Sequence, residues 1–155
     1  MQKKIKIIKD TIGVDNRGQI WTSWNKNNLK LNFNHDKFTI SKKRVFRGFH
    51  FDSKTWKLIS CVYGKVFLFY FKIEKEKKYK INKITLSHKK NIKILIPPGF
   101  AIGYLSLKSN SVIHYKLSYK GEYIDSKKQG TIKWNDPRIS VKYLKKKMIL
   151  SNRDS

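Results

Sequence analysis

An arginine and a histidine stand three residues apart in an apolar stretch, and these two side chains are the first candidates for chemistry. The stretch reads Lys43-Arg-Val-Phe-Arg-Gly-Phe-His50-Phe-Asp and is otherwise typical of a β-strand. Histidine suits proton transfer because its unperturbed pKa lies near neutrality. Strict alternation along a strand would place Arg47 and His50 on opposite faces, so we expect a β-bulge at Gly48 that turns one of them. The alternative is an ordinary core histidine beside a surface arginine.

Two more polar side chains fall on strand faces that should point inward. Alternation along the last long strand pattern places Tyr115 on the same face as Ile113. The same count places Lys57 on the face of Ile59 and Cys61. A buried lysine is costly without a partner, so we expect Lys57 to point into a cavity. The alternative is a lysine at the end of its strand whose ammonium group reaches back to water.

The length and the cysteine usage predict one soluble domain. A chain of 155 residues can bury a real core, and we expect a single domain over positions 1–155. Cys61 is the single cysteine and lies in an apolar run, which excludes an internal disulfide and fits a core position in a reducing compartment. No stretch approaches the roughly 18 apolar residues of a membrane span, so we expect a cytoplasmic protein without membrane contacts.

The formal net charge of +26 arises from 36 basic and 10 acidic residues. Such a charge is typical of proteins that bind nucleic acid, and it would also attract a phosphorylated substrate. However, the basic residues are nearly all lysine and Ala101 is the one alanine, a bias that AT-rich codons alone would produce. The aromatic residues also fall largely at strand positions expected in a core. We therefore predict no nucleic-acid partner.

The histidines do not predict a metal site. His35, His50, His88 and His114 form no His-x-His pair, and acidic residues are few. The chain also lacks a glycine-rich phosphate loop, a nucleophile elbow and zinc-finger spacing. We expect neither a metal ion nor a cofactor.

Short strand patterns separated by turns run along almost the whole chain. These segments are rich in β-branched and aromatic residues, whereas hardly any window has a helical period. Residues 15–18 form a predicted turn, and only residues 126–129 could hold a short helical turn. We predict strands over residues 29–33, 80–86, 92–96, 100–107 and 111–119, and two antiparallel strands over residues 56–71 that reverse at residues 63–65. The pattern indicates an all-β sandwich or barrel of the jelly-roll kind.

Six motifs in a fixed order resemble the dTDP-4-dehydrorhamnose 3,5-epimerase family over nearly the whole chain. They are Arg47-Gly-Phe-His50-Phe, Lys57-Leu-Ile-Ser-Cys-Val-Tyr-Gly-Lys-Val, Ile96-Pro-Pro-Gly-Phe-Ala-Ile-Gly103, His114-Tyr-Lys116, Ile132-Lys-Trp-Asn-Asp-Pro137 and Leu150-Ser-Asn-Arg-Asp154. Other spellings are closer to an offshoot that includes epimerases acting on GDP-linked 4-keto-6-deoxy-heptoses. These are Phe33-Asn-His-Asp-Lys-Phe, Lys54-Thr-Trp-Lys-Leu and Gly121-Glu-Tyr-Ile-Asp.

The resemblance implies a homodimeric, metal-independent cupin jelly roll with an antiparallel barrel. It implies an epimerase that inverts C3, C5 or both in a 4-keto-6-deoxy sugar linked to dTDP or GDP, a reaction in the biosynthesis of polysaccharide, lipopolysaccharide or capsule precursors. By motif, His50 corresponds to the general base and Asp154 to the residue that orients it. Tyr115 corresponds to the general acid, Lys57 to the cation that faces the enolate, and Arg47 to a substrate-binding arginine.

Two departures from the family pattern concern the substrate. Ile102 stands where the family usually has a histidine, and the loop between His50 and Lys57 is shorter than in the rhamnose enzymes. Two alternatives keep the same fold. One is a non-catalytic cupin that binds a nucleotide sugar, and the other is a related isomerase that moves the keto group between C3 and C4.

The chain end lies where most chains fray, yet it carries a predicted site residue. If Asp154 orients His50, the tail must be anchored, and we expect Met148, Ile149 and Leu150 to bury against the barrel. The Asp154 carboxylate should then hydrogen-bond a ring nitrogen of His50. The alternative is a solvated basic tail, as the neighbouring lysines suggest.

Overall fold

β-Strands joined by short turns and loops make up the part of the chain that the structure describes. The structure is a computed structural model and describes residues 4–27, 29–75, 78–144 and 147–155. Within these residues, no helix is long and apolar enough to cross a membrane. The strands are β1 (Lys6–Lys9), β2 (Ile12–Asp15), β3 (Gly18–Trp21), β4 (His35–Ser41), β5 (Phe46–Phe51), β6 (Trp56–Tyr63), β7 (Lys65–Lys72), β8 (Asn82–Ser87), β9 (Ile92–Ile96), β10 (Phe100–Ser106), β11 (Ser111–Ser118) and β12 (Gly130–Thr131).

Two five-stranded antiparallel sheets face each other and enclose the core. The first sheet has the strand order β1-β9-β6-β11-β4, and the second has the order β12-β5-β10-β7-β8. The β2–β3 hairpin forms a separate two-stranded sheet, and its turn lies at the predicted residues 15–18. The inward faces of both large sheets supply one apolar cluster, which includes Ile59 and Ile94 from the first sheet and Leu68 from the second. The predicted all-β jelly roll is confirmed.

The outer face of each large sheet is also covered, which explains why some strands carry almost no polar residue. Side chains of the segment after β12 pack on the second sheet around Phe49 and Phe71. Leu29 packs on the first sheet against Leu58 and Leu95. Because β7 has apolar neighbours on both faces, it reads Val-Phe-Leu-Phe-Tyr-Phe without an alternating polar residue.

The strands predicted over residues 92–96, 100–107 and 111–119 are confirmed to within one residue. The strand predicted over residues 80–86 begins two residues later, at Asn82. The predicted helical turn is a single turn, in which the Gln129 N–H donates to the Asp125 C=O at 3.1 Å. Cys61 lies in the core as predicted, and burial raises the pKa of its thiol to about 11.

The strand predicted over residues 29–33 is wrong. Leu29, Leu31 and Phe33 pack on the outer face of the first sheet, but this segment pairs with no strand of the described chain. The Leu31 N–H donates to the Leu29 C=O at 2.8 Å, which marks a tight bend. The alternation of apolar and polar residues here reflects burial on one side of an irregular segment.

The two strands predicted within residues 56–71 are present but do not pair with each other. Both strands exist and reverse near Gly64, but β6 lies in the first sheet and β7 in the second. Gly64 has a φ of +80°, and a Cβ atom built on it would lie 2.4 Å from the Ser111 Oγ atom. The turn therefore connects one sheet to the other. The alternation of apolar and polar residues along each strand does not indicate that the chain changes sheets here.

A β-bulge at Gly48 distorts β5 as predicted. Ile102 on β10 pairs with His50 and Tyr104 pairs with Arg47, so a single residue of β10 faces two residues of β5. Gly48 has a φ of +126°, and a Cβ atom built on it would lie 2.5 Å from the backbone of β10. Glycine is required where two strands approach this closely.

The C-terminal tail is anchored beside β5. The Ile149 N–H donates to the Arg44 C=O at 2.9 Å, and the Phe46 N–H donates to the Ile149 C=O at 3.0 Å. Met148 and Leu150 pack against the outer cluster of the second sheet, as predicted. The expectation that Ile149 is buried is wrong, because its side chain is 45% exposed and the residue holds the tail through its backbone. Positions 145 and 146 of the basic run lie outside the described residues.

Candidate active site

The five residues predicted for the site line one cavity of about 300 Å³. They are Arg47, His50, Lys57, Tyr115 and Asp154. Strands of both large sheets and the C-terminal tail contribute to the cavity wall. The other lining residues are Lys37, Thr39, Ile102, Leu117, Tyr123, Ser126, Gln129, Ser151 and Arg153.

His50 and Asp154 are in direct contact. The Nε2 atom of His50 lies 3.0 Å from the Oδ1 atom of Asp154. At this distance the two groups form an ion pair when the imidazole is protonated, although the ring N–H is not aligned well enough for a hydrogen bond, so the predicted hydrogen bond is replaced by a close contact. The carboxyl group is almost fully buried, whereas the imidazole is 24% exposed. On the other side of the ring, the Nδ1 atom lies 3.2 Å from the Oγ1 atom of Thr131.

The surroundings of Asp154 keep its carboxyl group ionised. Burial raises the pKa of this group, but the His50 ring, the Ser151 hydroxyl and the Gly48 N–H together lower it by more. The pKa of Asp154 therefore lies below its usual value. Because a carboxylate can only accept, the Nε2 atom of His50 carries a hydrogen, and Nδ1 is the nitrogen that can take up a proton.

Lys57 points into the cavity, and Asp52 is its partner. The Nζ atom of Lys57 donates to the Oδ2 atom of Asp52 at 2.7 Å. The Oδ1 atom of Asp52 accepts from the N–H groups of Lys54 and Thr55 at 3.0 and 2.6 Å, so the short loop after β5 closes around this carboxylate. Burial raises the pKa of Asp52, but Lys57 and the two N–H groups together lower it by more. The pKa of Asp52 therefore lies below its usual value. The alternative in which Lys57 reaches bulk water is wrong, because its side chain is only 12% exposed.

Tyr115 lies on β11, in the sheet that faces His50. Burial raises the pKa of its hydroxyl well above the usual value, Tyr104 adds to this rise, and the Arg47 cation offsets part of it. The hydroxyl is therefore protonated throughout the neutral range and can donate. The inward face predicted by alternation is confirmed, because Tyr115 and Leu117 both line the cavity.

Arg47 contacts β4, the strand that precedes β5 in the chain and lies in the opposite sheet. Its Nε atom donates to the Ser41 Oγ atom at 3.2 Å, and the same hydroxyl contacts the Tyr104 hydroxyl at 2.7 Å. The Gly48 bulge places Arg47 and His50 on the same cavity although strict alternation would separate them. Of the alternative, the core histidine is wrong because His50 is 24% exposed at the cavity, whereas Arg47 is indeed an exposed residue, at the mouth of the same cavity.

Cations outnumber anions among the lining residues. Lys37, Arg47, Lys57 and Arg153 contribute positive charges, against the carboxylate of Asp154. A concave wall with this excess of positive charge favours an anionic ligand such as a diphosphate.

The contacts that two residues make beside the site could not be predicted from the sequence. Asp52 was detectable only as the start of an Asx turn, since the spelling Asp52-Ser-Lys-Thr55 suits such a turn but does not predict contact with Lys57. Thr131 carries no signal in the sequence, and its role depends on the pairing of β12 with β5. No group of three His, Cys, Asp or Glu side chains within the described ranges could hold a metal ion.

The fold and the cavity define a cupin-like jelly roll whose positively charged cavity brings together a histidine, a carboxylate and a tyrosine. A family model described as dTDP-4-dehydrorhamnose 3,5-epimerase matches residues 3–155. The chain therefore belongs to the dTDP-4-dehydrorhamnose 3,5-epimerase family.

Individual relatives agree with this assignment. The chain is 29% identical over 150 residues to the dTDP-4-dehydrorhamnose 3,5-epimerase of Salmonella typhimurium, which covers 90% of this chain and 80% of the relative. It is 27% identical over 162 residues to the protein of the same name from Methanothermobacter thermautotrophicus, which covers 96% of this chain and 85% of the relative.

Solved structures agree as well. The chain is similar to the crystal structure of the dTDP-6-deoxy-D-glucose-3,5-epimerase of Legionella pneumophila in complex with dTDP-4-keto-L-rhamnose. That match has a TM-score of 0.84 and 27% identity, and it covers 97% of this chain and 84% of the other. The predicted fold class and family are confirmed, and the predicted function, deoxysugar-nucleotide epimerisation, is confirmed at the level of the family.

Proposed function

We propose that the protein is an isomerase that inverts C3, C5 or both in a nucleotide-linked 4-keto-6-deoxy sugar. Its product would serve as a deoxysugar precursor of polysaccharide, lipopolysaccharide or capsule. The observation that carries this proposal is that a base paired with a carboxylate, a lysine and a protonated tyrosine share one cavity. The activity named for the relatives supports the reaction, and the ligand of the Legionella pneumophila enzyme supports the substrate class.

His50 takes the first proton. The hydrogen on the carbon next to the 4-keto group moves to Nδ1 of His50, and the electrons of the C–H bond move into the carbonyl group to form an enolate. The imidazolium that results is stabilised by the ionised Asp154, which contacts Nε2 at 3.0 Å. Asp154 thereby favours the tautomer in which the lone pair lies on Nδ1, and the Thr131 hydroxyl beside this nitrogen must turn its hydrogen away before Nδ1 takes the substrate proton.

Lys57 stabilises the enolate oxygen. A fixed ammonium group in a water-poor cavity stabilises developing negative charge more effectively than water does. The carboxylate of Asp52 accepts from this ammonium group at 2.7 Å and so fixes its position. Two of the three ammonium hydrogens are left for the substrate, because Asp52 accepts one.

Tyr115 returns a proton to the opposite face of the sugar ring. Inversion requires that the donor and the base stand on different sides of the substrate carbon. Tyr115 lies on the first sheet and His50 on the second, so a sugar held between the sheets would meet them on opposite sides. Because its pKa is raised, the Tyr115 hydroxyl carries the proton that it donates. The Arg47 cation stabilises the phenolate that remains after the transfer.

The positive side chains of the cavity would bind the diphosphate of the substrate. Arg47 and Lys37 are available for this contact, whereas Lys57 is engaged by Asp52. Ile102 gives the wall an apolar patch that suits the methyl group or a ring C–H face of a deoxysugar. Both dTDP and GDP remain within this proposal as the nucleotide.

We propose that the protein forms a homodimer through the β4 edge of its first sheet. β4 is one of the two edge strands of that sheet, and its side chains Phe38 and Ile40 are 59% and 67% exposed. Two large apolar side chains on the same face of an edge strand favour association with another chain. Light scattering should give the mass of a dimer for the wild type and the mass of a monomer for an Ile40→Lys variant.

Deuterium uptake from heavy water tests the reaction. The protein is incubated with dTDP- and GDP-linked 4-keto-6-deoxy sugars, and NMR locates any deuterium in the recovered sugar. Uptake at C3 alone, or at C3 and C5, supports the proposal and gives the number of inverted centres. Binding without uptake at any carbon would instead support a non-catalytic cupin, and migration of the keto group to C3 would support a ketoisomerase.

A further inference from the structure

Thr131 and Arg153 meet on the side of the His50 ring that faces away from Asp154. Thr131 on β12 pairs in register with His50 on β5. Its Oγ1 atom lies 3.2 Å from the Nδ1 atom of His50. The Nε atom of Arg153 donates to the same oxygen at 2.9 Å, and the Nη2 atom of Arg153 donates to the Gln129 C=O at 3.2 Å.

The Thr131 hydroxyl can form a hydrogen bond with Nδ1 of His50 whether the ring is neutral or protonated. A hydroxyl group has one hydrogen to donate and two lone pairs that accept, whereas arginine only donates. Arg153 therefore uses one lone pair of the Thr131 oxygen. When His50 is neutral and no substrate is bound, the hydroxyl hydrogen can point at the single lone pair of Nδ1, and it turns away when that lone pair takes the substrate proton. When Nδ1 is protonated, it can donate to the remaining lone pair.

The two contacts of the ring also fix which way it faces. A half-turn of the imidazole would exchange Nδ1 and Nε2 with carbon atoms, so the ring would lose Asp154 on one side and Thr131 on the other. Arg153 and Asp154 are neighbours in the chain. One short segment of the tail therefore acts on both edges of the base.

We propose that Thr131 and Arg153 are positioning residues for His50: Arg153 holds the Thr131 hydroxyl, and this hydroxyl holds the Nδ1 edge of the ring. The inference rests on the proposed function in so far as His50 is the base. The competing explanation is that Arg153 merely ties the tail to β12. In that case the loss of the Thr131 hydroxyl would free the whole tail, including Asp154, and would disturb both ring nitrogens.

Conservative pairs of variants distinguish the two explanations. Thr131→Val keeps the shape of the side chain but removes the hydroxyl, and Thr131→Ser keeps the hydroxyl. We expect Thr131→Val to lower kcat by about tenfold or more, since a misplaced base loses part of the roughly 10²- to 10⁴-fold that a positioned one contributes. KM and the melting temperature should stay near wild type, and Thr131→Ser should recover most of the activity.

Arg153→Gln should lower kcat to a similar extent. The double variant Thr131→Val/Arg153→Gln should be no slower than the slower single variant, because the two residues act through one contact. Thr11→Val and Arg17→Gln change the same residue types at exposed positions away from the cavity and serve as controls. Purely additive losses, or equal losses in Thr131→Val and Thr131→Ser, would overturn the inference.

Proton–nitrogen NMR of the imidazole rings tests the inference without turnover. The chain has 4 histidines, and the signals of His50 are identified by their loss in His50→Asn. In Thr131→Val we expect the Nδ1 signal to move towards that of an unbonded nitrogen while the Nε2 signal stays. Unchanged signals, or equal movement of both, would overturn the inference. Because this readout needs no substrate, an inactive wild type would count against the proposed function and leave the test of Thr131 intact.

Discussion

The Oδ1 atom of Asp154 lies 3.0 Å from the Nε2 atom of His50, although Asp154 is the penultimate residue of the chain. The contact is possible because the tail is fastened upstream, where Ile149 exchanges two backbone hydrogen bonds with the segment that leads into β5. The tail is therefore joined directly to the strand that bears His50. This relationship makes the last residues of the chain part of the candidate active site.

Removal of the Asp154 carboxylate should reduce turnover more than stability. In Asp154→Ala, His50 loses the group that selects its tautomer and stabilises its charged form, and we expect kcat to fall by about 10- to 100-fold. The exposed neighbour Ser155 provides the control variant Ser155→Ala, which should behave as wild type. Steady-state rates and melting temperatures of both variants check this, and wild-type turnover in Asp154→Ala would contradict it.

The stabilising effect of Asp154 should disappear in acid. Its pKa is lower in the folded protein than in the unfolded chain, so its ionised form stabilises the fold at any pH above about 4. This contribution is lost as the pH falls through the lowered pKa. Urea unfolding of wild type and Asp154→Ala should therefore differ at pH 7, and the difference should shrink as the pH falls through the lowered pKa. A difference that grows with falling pH would have the wrong sign.

Asp52 should be required to keep Lys57 in position. Asp52→Asn removes the charge that neutralises Lys57 at 2.7 Å, and we expect a loss of about 1–3 kcal/mol in the free energy of unfolding together with reduced turnover. The matched control is Asp15→Asn, which breaks an exposed ion pair with Arg17 and should cost much less than Asp52→Asn, because solvent screens the exposed charges. Equal destabilisation by the two variants would show that burial of the Lys57 pair has no special importance.

Tyr115→Phe should separate exchange from inversion. Abstraction by His50 does not need the tyrosine, so deuterium should still enter the first carbon, whereas net inversion should fall by about 10²-fold or more. Tyr63→Phe, at an exposed tyrosine outside the cavity, is the control. If exchange and inversion fell together in Tyr115→Phe, the residue would bind the substrate without delivering the proton.

The Gly48 bulge should tolerate no side chain. Gly48 and Gly18 have similar φ angles of +126° and +132°, but only at Gly48 would a Cβ atom meet backbone within 4 Å. We therefore expect Gly48→Ala to destabilise the protein by at least about 2 kcal/mol more than Gly18→Ala, since the strands must separate. Chemical unfolding of both variants measures this difference. Similar values for the two would mean that the backbone conformation alone sets the cost.

Much of the site could be predicted because strands have a period of two. Alternation placed Lys57 and Tyr115 on inward faces, and the single glycine in an apolar strand indicated the bulge that brings Arg47 to the cavity. These are local properties, so they can be read without knowing which strands pair.

The remaining features depend on contacts between distant parts of the chain. The partner of Lys57 is set by how the loop after β5 folds back, and the place of Thr131 is set by the pairing of β12 with β5. The crossing at Gly64 between the sheets likewise has no local signature. Residues 29–33 alternate like a strand because one side of an irregular segment is buried, which gives the same pattern without a partner strand.

Solvent exchange by His50→Asn tests the central claim most directly. Wild type and variant are incubated in heavy water with a 4-keto-6-deoxy sugar nucleotide, and deuterium in the sugar is measured together with nucleotide affinity. The account predicts uptake by the wild type and a rate at least about 10²-fold lower in the variant, with the affinity for the nucleotide nearly unchanged because the imidazole acts on the sugar carbon. Full exchange in His50→Asn would contradict the account and remove His50 from the chemistry.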